Sequence, residues 1–275
     1  MFFHPRFELK YIITASIAHA IAGKLIDRCD LDANGSEGYY INETLYFDSP
    51  HFDFFFHKIE GVKLRRKVRI RRHGDTAPWK RVFVEIKKRN GQYIEKSRFP
   101  LEPQLLPFLF NPSQKHHITQ TLNQSEIQVY NEVISLFQLF HLRPIIFIRY
   151  KRRAFWAKGE ERLRITFDSD LSYDVVNHNC LSPLENTQLI LAGDQVIMEI
   201  KASGRVPFWI LELIQEFNCW MTRLSKYCLG VRMAHGLGGN YFDYSKKEGS
   251  LNIGCKNSNI EVRNPKQYRN PNIQH

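Results

Sequence analysis

Residues 63–89 read KLRRKVRIRRHGDTAPWKRVFVEIKKR, and everything else in the chain is best interpreted from this stretch outward. In a β-strand, residues i and i+2 share a face. From Lys63 to Arg71 the odd positions Lys63, Arg65, Lys67, Arg69 and Arg71 are all cationic, whereas Leu64, Val68 and Ile70 are apolar and Arg66 is the exception. Gly74 to Pro78 supplies turn residues, after which Val82, Val84 and Ile86 alternate with Glu85 and Lys87. The two runs predict a hairpin. Like charges on one strand face repel one another, so this face calls for a compensating anion.

The triplet Glu85-Ile86-Lys87 has two counterparts, Glu8-Leu9-Lys10 and Glu199-Ile200-Lys201. Each aims one acid and one base the same way, with an apolar residue pointing to the opposite face. Several such strands lining one charged cavity would account for the pattern. Many cations with a few carboxylates suit a polyanion carrying a divalent metal.

The same alternation recurs elsewhere. Phe7, Leu9 and Tyr11 oppose Glu8 and Lys10 in a strand over 6–12, and 43–48 is a short strand closed by Ser49-Pro50. Ile146, Ile148, Tyr150 and Arg152 share one face of a strand, with Arg149 and Arg153 on the other. Arg162, Arg164, Thr166 and Asp168 alternate with Leu163, Ile165 and Phe167, and 196–201 is a further strand. Helices are expected from Ser16, as cap, to Cys29, from Ser125, as cap, to about His141 before Pro144, and from Pro207 onward. With at least seven strands and charge on one face of nearly every one, the expected class is α+β. Its core is a closed eight-stranded antiparallel β-barrel with a wet, charged lumen and flanking helices. Residues 1–244 form one domain, and 245–275, polar, Asn-rich and basic, read as a disordered tail.

Composition narrows the partners. A net charge of +11 points to an acidic partner: nucleic acid, an anionic membrane or a phosphate-rich small molecule. Five scattered cysteines without a C-x-x-C pair read as reduced, and His116-His117 as solvated. The N-terminus lacks signal-peptide order, and no apolar run approaches the ~20 residues that span a bilayer. The expectation is a soluble, cytoplasmic protein that can dock on a separate membrane protein.

The strand signatures, taken in order, resemble the VTC domain, the polyphosphate polymerase branch of the triphosphate tunnel metalloenzymes (CYTH-like proteins). The motifs are Glu8-Leu9-Lys10-Tyr11, Leu45-Tyr46-Phe47-Asp48, Arg69-Ile70-Arg71, Glu85-Ile86-Lys87, Tyr150-Lys151-Arg152-Arg153-Ala154-Phe155, Arg164-Ile165-Thr166-Phe167-Asp168, Glu199-Ile200-Lys201 and Ser225-Lys226-Tyr227. The resemblance implies a tunnel that binds ATP and polyphosphate, or a pyrophosphate primer, with Mn²⁺ or Mg²⁺, and an ATP-dependent phosphotransfer that extends the chain and releases ADP. Residue by residue, it implies catalytic cations at Arg69, Arg71, Lys87, Arg152, Arg164 and Lys226, and phosphate contacts at Lys10, Lys58, Lys96, Tyr150 and Ser225. Lys67 and Lys201, on the same faces, join the phosphate contacts. The metal carboxylate implied is Glu199, with Glu85 and Glu8 assisting.

Two departures stand out. Arg6 occupies the first acidic position of the wider superfamily's E-x-E-x-K, which disfavours plain triphosphate hydrolysis, and Arg223 stands where the polymerase has lysine. No SPX-type region or membrane span is expected, so sensing and export would fall to other proteins. The alternatives are a metal-dependent inorganic triphosphatase on the same fold, a phosphate-polymer sensor without turnover, and a nucleic-acid-binding barrel. The last is disfavoured, because glutamates and threonine, rather than base-stacking aromatics, accompany Arg69, Lys87 and Arg164.

Overall fold

The computed structural model describes residues 6–73, 81–91, 93–160, 162–176 and 187–237. The expected turn at 74–78 and the tail at 245–275 lie outside them. In chain order the elements are β1 (Arg6–Thr14), α1 (Ala15–Leu25), β2 (Cys29–Leu31), β3 (Tyr39–Asp48), α2 (Asp53–Ile59), β4 (Leu64–His73), β5 (Val82–Asn90) and β6 (Tyr93–Leu101). There follow α3 (His116–Thr119), α4 (Gln124–Phe140), β7 (Arg143–Ala157), β8 (Arg164–Val175), β9 (Gln188–Leu189), β10 (Gln195–Ser203), α5 (Phe208–Glu216) and α6 (Lys226–His235).

The strands form one antiparallel sheet in the order β1-β10-β8-β7-β3-β4-β5-β6, with β2 beside β7 and β9 beside β8. The expected closed eight-stranded barrel is therefore corrected. The sheet has ten strands, and no ladder joins its end strands β1 and β6 among the described residues. A physical reason is visible at β1. Its free edge is already occupied, because Thr222 N–H donates to Lys10 O at 2.7 Å and Tyr11 bridges Met221. The sheet nevertheless curls, since Lys87 Nζ on β5 comes within 3.6 Å of Glu8 on β1.

Alternation sorts the residues between two faces. On the convex side Tyr11, Ile13, Met198, Ile200, Ile165 and Phe155 pack with Ile21 and Leu25 of α1 and Ile210 of α5. Further along, Leu45, Val68, Ile70, Val84, Ile86 and Phe99 pack with Tyr130 and Val133 of α4. Each fully buried aliphatic or aromatic side chain contributes roughly 1.5–3 kcal/mol, so these two layers hold the helices on. On the concave side Tyr227 and Val231 of α6 pack with Tyr46, Ile148, Tyr150 and Ile197, and Phe55 of α2 joins the same layer. Gly230 permits this approach: a Cβ there would stand 2.9 Å from Ile146 Cδ1 and 3.0 Å from Ile148 Cδ1.

Local details differ from expectation at the caps. Thr14, not Ser16, caps α1 by accepting from Ile17 N–H. Asn123, not Ser125, caps α4 in a capping box with Glu126, whose carboxylate accepts the Asn123 N–H. Pro144 does not stop the helix: α4 ends at Phe140, with His141 in the left-handed region at φ 48°, and Pro144 lies inside β7. There it pairs with Phe47 beside a register shift between Tyr46 and Phe47, a place where a residue without an N–H is tolerated. No described helix is long and apolar enough to cross a membrane.

Candidate functional site

The concave face carries the charge. Glu8 and Lys10 come from β1, Lys67, Arg69 and Arg71 from β4, Glu85 and Lys87 from β5, and Lys96 and Arg98 from β6. Arg152 comes from β7, Thr166 and Asp168 from β8, Glu199 and Lys201 from β10, and Lys226 from the first turn of α6. All three acid–base triplets thus point into one hollow, as the i, i+2 reading requires.

Where β1, β10, β8 and β7 meet α6 the hollow holds a compact ionic cluster. Arg152 grips Asp168 with both arms, Nε to Oδ1 at 2.6 Å and Nη2 to Oδ2 at 2.7 Å. Lys226 Nζ stands 2.5 Å from Asp168 and 2.7 Å from Glu199. Lys201, Lys10 and Arg152 surround the same Glu199 at 3.1, 3.5 and 3.7 Å. Burial opposes ionisation of Glu199, yet Lys226, Lys10 and Lys201 hold its carboxyl well below the usual range. Burial likewise disfavours the charged form of Lys226, and Asp168 and Glu199 reverse this and raise its pKa. The Tyr150 ring lies 4.9 Å from Lys226 and 5.2 Å from Arg152, a cation–π platform under both.

The facing wall is built around Glu85, which is fully buried. Arg69 Nε donates to it at 2.8 Å, and Lys96 approaches to 2.5 Å. Burial would raise the Glu85 carboxyl, but Arg69, Arg71 and Lys96 bring it down to about 2. Glu8 is also held at about 2: burial works against its charge, and Lys10, Lys87 and Lys201 prevail. Lys96 and Lys201 both fall to about 8 because burial outweighs their glutamate partners. Tyr46, beside Arg69, is brought to about 8; burial alone would raise it, but Arg69, Arg71 and Lys67 favour the phenolate.

Cations exceed carboxylates here, and some have none. Lys67, Lys87 and Lys96 are direct cross-strand neighbours, three ammonium-bearing chains in one row. Lys67 donates to Ser225 Oγ at 2.7 Å, with no acidic partner within ion-pair distance among the described residues. The buried Nε of Arg71 and the buried hydroxyls of Thr44 and Thr166 lack hydrogen-bond partners. Such groups carry a desolvation cost until something binds them, and phosphate oxygens are suitable acceptors.

The outer members of the expected set are placed differently. Arg164 is not in the cluster. It stands toward the start of β8, paired to Asp32, bonded to Tyr40 Oη at 2.8 Å and stacked 4.9 Å from the Trp156 ring. Lys58, in the last turn of α2, has no ion pair to the cluster among the described residues, and burial lowers its pKa. Ser225 caps α6, its Oγ accepting from Cys228 N–H at 3.3 Å.

The three expected metal carboxylates do not converge. Glu8 and Glu199 share Lys10, at 3.2 and 3.5 Å, but Glu85 is on the other wall. Among the described residues no three His, Cys, Asp or Glu side chains group to hold an ion. The physical reason is that cations already occupy these carboxylates. What Glu8 and Glu199 do suit is the magnesium mode, in which one or two carboxylates assist while substrate phosphates supply other ligands.

Asp168, Asp32 and Tyr46 are site residues absent from the expected set. Asp168 was readable, since it continues the alternation of Arg164 and Thr166. Asp32 belongs to a loop that no periodicity marks. Another such group is Asp48, fully buried, which accepts from Phe54 and Phe55 N–H at 2.9 Å and from the Tyr227 hydroxyl. It ties α2 to α6 and so fixes where Lys226 stands.

The structure is thus a curled antiparallel sheet whose concave face brings cations together around a few buried carboxylates. The chain belongs to the VTC domain family, whose model matches residues 5–235. Among curated relatives it is 28% identical over 151 residues to vacuolar transporter chaperone complex subunit 2 of Schizosaccharomyces pombe, a match covering 51% of this chain and 20% of that protein. It is 21% identical over 223 residues to vacuolar transporter chaperone complex subunit 4 of Trypanosoma cruzi, covering 70% of this chain and 28% of the relative. The chain thus matches between a fifth and three tenths of the length of these relatives. Among solved structures, HpAC1 from Hippeastrum, described as having a dominant triphosphatase activity, aligns with a TM-score of 0.48 and 14% identity over 81% of this chain and 94% of that one.

Proposed function

We propose that this protein is an ATP-dependent polyphosphate polymerase whose concave site grips successive phosphates and extends the chain from the γ-phosphate of ATP, releasing ADP. The observation that carries the reading is the surplus of cations over carboxylates, drawn from β4, β5, β6, β7, β10 and α6 toward one hollow, with Arg152 and Lys226 buried and donors left unsatisfied at Arg71, Thr44 and Thr166. Phosphoryl transfer asks the protein mainly for positioning and charge neutralisation. Arg71 offers a guanidinium fork to phosphate oxygens. Arg69 and Arg152, whose forks hold Glu85 and Asp168, contribute charge and their remaining N–H groups, and Lys10, Lys67, Lys87, Lys96, Lys201 and Lys226 act as point charges. A terminal phosphate oxygen of the chain attacks the γ-phosphorus, and the β–γ bridging oxygen leaves with ADP. Glu199, with Glu8, would hold Mn²⁺ or Mg²⁺ at the phosphates, where such an ion neutralises charge on the leaving group.

The VTC relatives are subunits of a complex. That supports a reading in which this chain also works beside other proteins, one of them receiving the polymer at a membrane. The decisive experiment is incubation of the purified protein with ATP and Mn²⁺, resolved on a gel. Long chains with stoichiometric ADP are expected. Orthophosphate without chains would move the assignment to a triphosphatase, and no turnover with retained polyphosphate binding would move it to a sensor.

A further inference from the structure

The convex face of β3, β4 and β7 carries charge that the hollow does not use. Arg149, Lys151 and Arg153 alternate with the inward Ile148, Tyr150 and Arg152, so they point outward. Beside them on β3 are Glu43, opposite Arg149, and Tyr39, opposite Arg153. Glu43 is buried and is the acid of this group: Arg72 of β4 pairs with it and Arg149 Nε stands 3.7 Å away. Asp170 and Asp174, on the neighbouring β8, make no ion pair with the row among the described residues. Lys151 and Arg149 are exposed, and neither helical layer reaches them: the α1–α5 layer meets β7 at Phe155 and the α4 layer meets it at Phe147.

We infer that the outward row Arg149–Lys151–Arg153, continued by Arg72, is a second binding surface for linear polyphosphate, engaging the part of a chain that extends beyond the hollow. The inference rests on the proposed function. Two observations favour phosphate polymer over nucleic acid. The Tyr39 ring, the aromatic in the row, is already occupied by cations, with Lys151 at 4.7 Å and Arg153 at 5.0 Å from its centroid, so it is not offered to a base. The remaining contacts are charges without directional base readout, which suits a uniform chain of anions. Position supports continuity: Tyr39 and Tyr40 are consecutive on β3, Tyr40 bonding Arg164 on the concave side while Tyr39 takes Arg153 on the convex side. Arg164, opposite Trp156, and the outer row thus lie toward the same end of β7 on opposite faces of the sheet.

The test compares two sodium salts, tripolyphosphate, short enough to fill only the hollow, and polyphosphate of about a hundred units, on the full chain and on Arg149→Gln/Lys151→Glu. The wild type is expected to bind the long chain at least tenfold tighter than tripolyphosphate. The variant should keep tripolyphosphate affinity within about twofold and lose most of the long-chain advantage. Equal long-chain affinity in both proteins overturns the second surface while leaving the hollow intact. Failure of the wild type to bind tripolyphosphate overturns the proposed function itself. A single-stranded oligonucleotide bound as tightly as the long chain, and equally sensitive to the substitutions, reassigns the row to nucleic acid.

Discussion

Lys87 on β5 reaches to 3.6 Å from Glu8 on β1, although these strands lie toward opposite ends of the sheet. The contact shows that the curl alone brings the two walls within the span of one polyanion. Among the described residues, side chains rather than backbone hydrogen bonds make that connection.

Lys226 should be structurally indispensable. Replacing it with Met leaves Asp168 and Glu199, both buried, short of a cation, and breaking such a group from one side costs about 3–5 kcal/mol. Urea unfolding is expected to show a loss of that order. Adding Glu199→Gln should recover part of it, because the second change removes one of the stranded charges.

The same Glu199→Gln change alone should separate turnover from binding. Metal-dependent chain extension is expected to vanish, while polyphosphate binding is retained or strengthened, since the surplus of cations grows. Unchanged activity would remove Glu199 from any metal role.

Ligand binding should be proton-coupled. Lys96 and Lys201 lie near 8 in the free protein because burial favours their neutral forms. Bound phosphates favour the ammonium forms and raise both values, so binding takes up protons around pH 8. Affinity for polyphosphate should accordingly fall as pH rises from 7 to 9. Tyr46, also near 8, adds a change of the same sign as its phenolate appears. Calorimetry in two buffers of different ionisation enthalpy measures the uptake, and proton release on binding would contradict the assignment.

Gly230→Ala should weaken the seat of α6. Its Cβ would sit 2.9 Å from Ile146 Cδ1, a terminal methyl that must turn aside. An overpacking cost of about 1–3 kcal/mol is set against the ~1 kcal/mol that Ala gains over Gly in a helix, so the expected net loss is small. Trimming the obstacle with Ile146→Val is expected to restore part of the lost thermal stability.

Much of the architecture was legible because alternation is a strong signal when one face is charged and the other apolar. Lys63–Arg71 and Glu85–Lys87 placed a hairpin and its orientation from residue types alone. The error over closure came from a feature without period: the segment at Met221 and Thr222 that covers β1 shows neither alternation nor helical spacing. The strand β6 was missed because its first half, Tyr93 to Lys96, is exposed on both faces. The helix α6 was missed as well, since its apolar residues interrupt a run of Lys226, Gly230 and Arg232. Of the chemistry, the triplets revealed which acids and bases share a hollow. They could not reveal which cations would saturate which carboxylates, because that depends on the exact register between paired strands. Glu85 was therefore grouped with Glu8 and Glu199, when Arg69 and Lys96 claim it from the adjoining strands β4 and β6.

The last described stretch, from residue 218 to 237, does two jobs with one piece of chain. Met221 and Thr222 close off the sheet border at β1, and a few residues later Lys226 completes the charge balance around Asp168 and Glu199. During synthesis these residues emerge after every strand of the sheet. A nascent chain lacking them would carry both an uncovered sheet border and a half-neutralised nest of acids, so the cover on β1 and the charge balance of the cluster arrive together, after every strand.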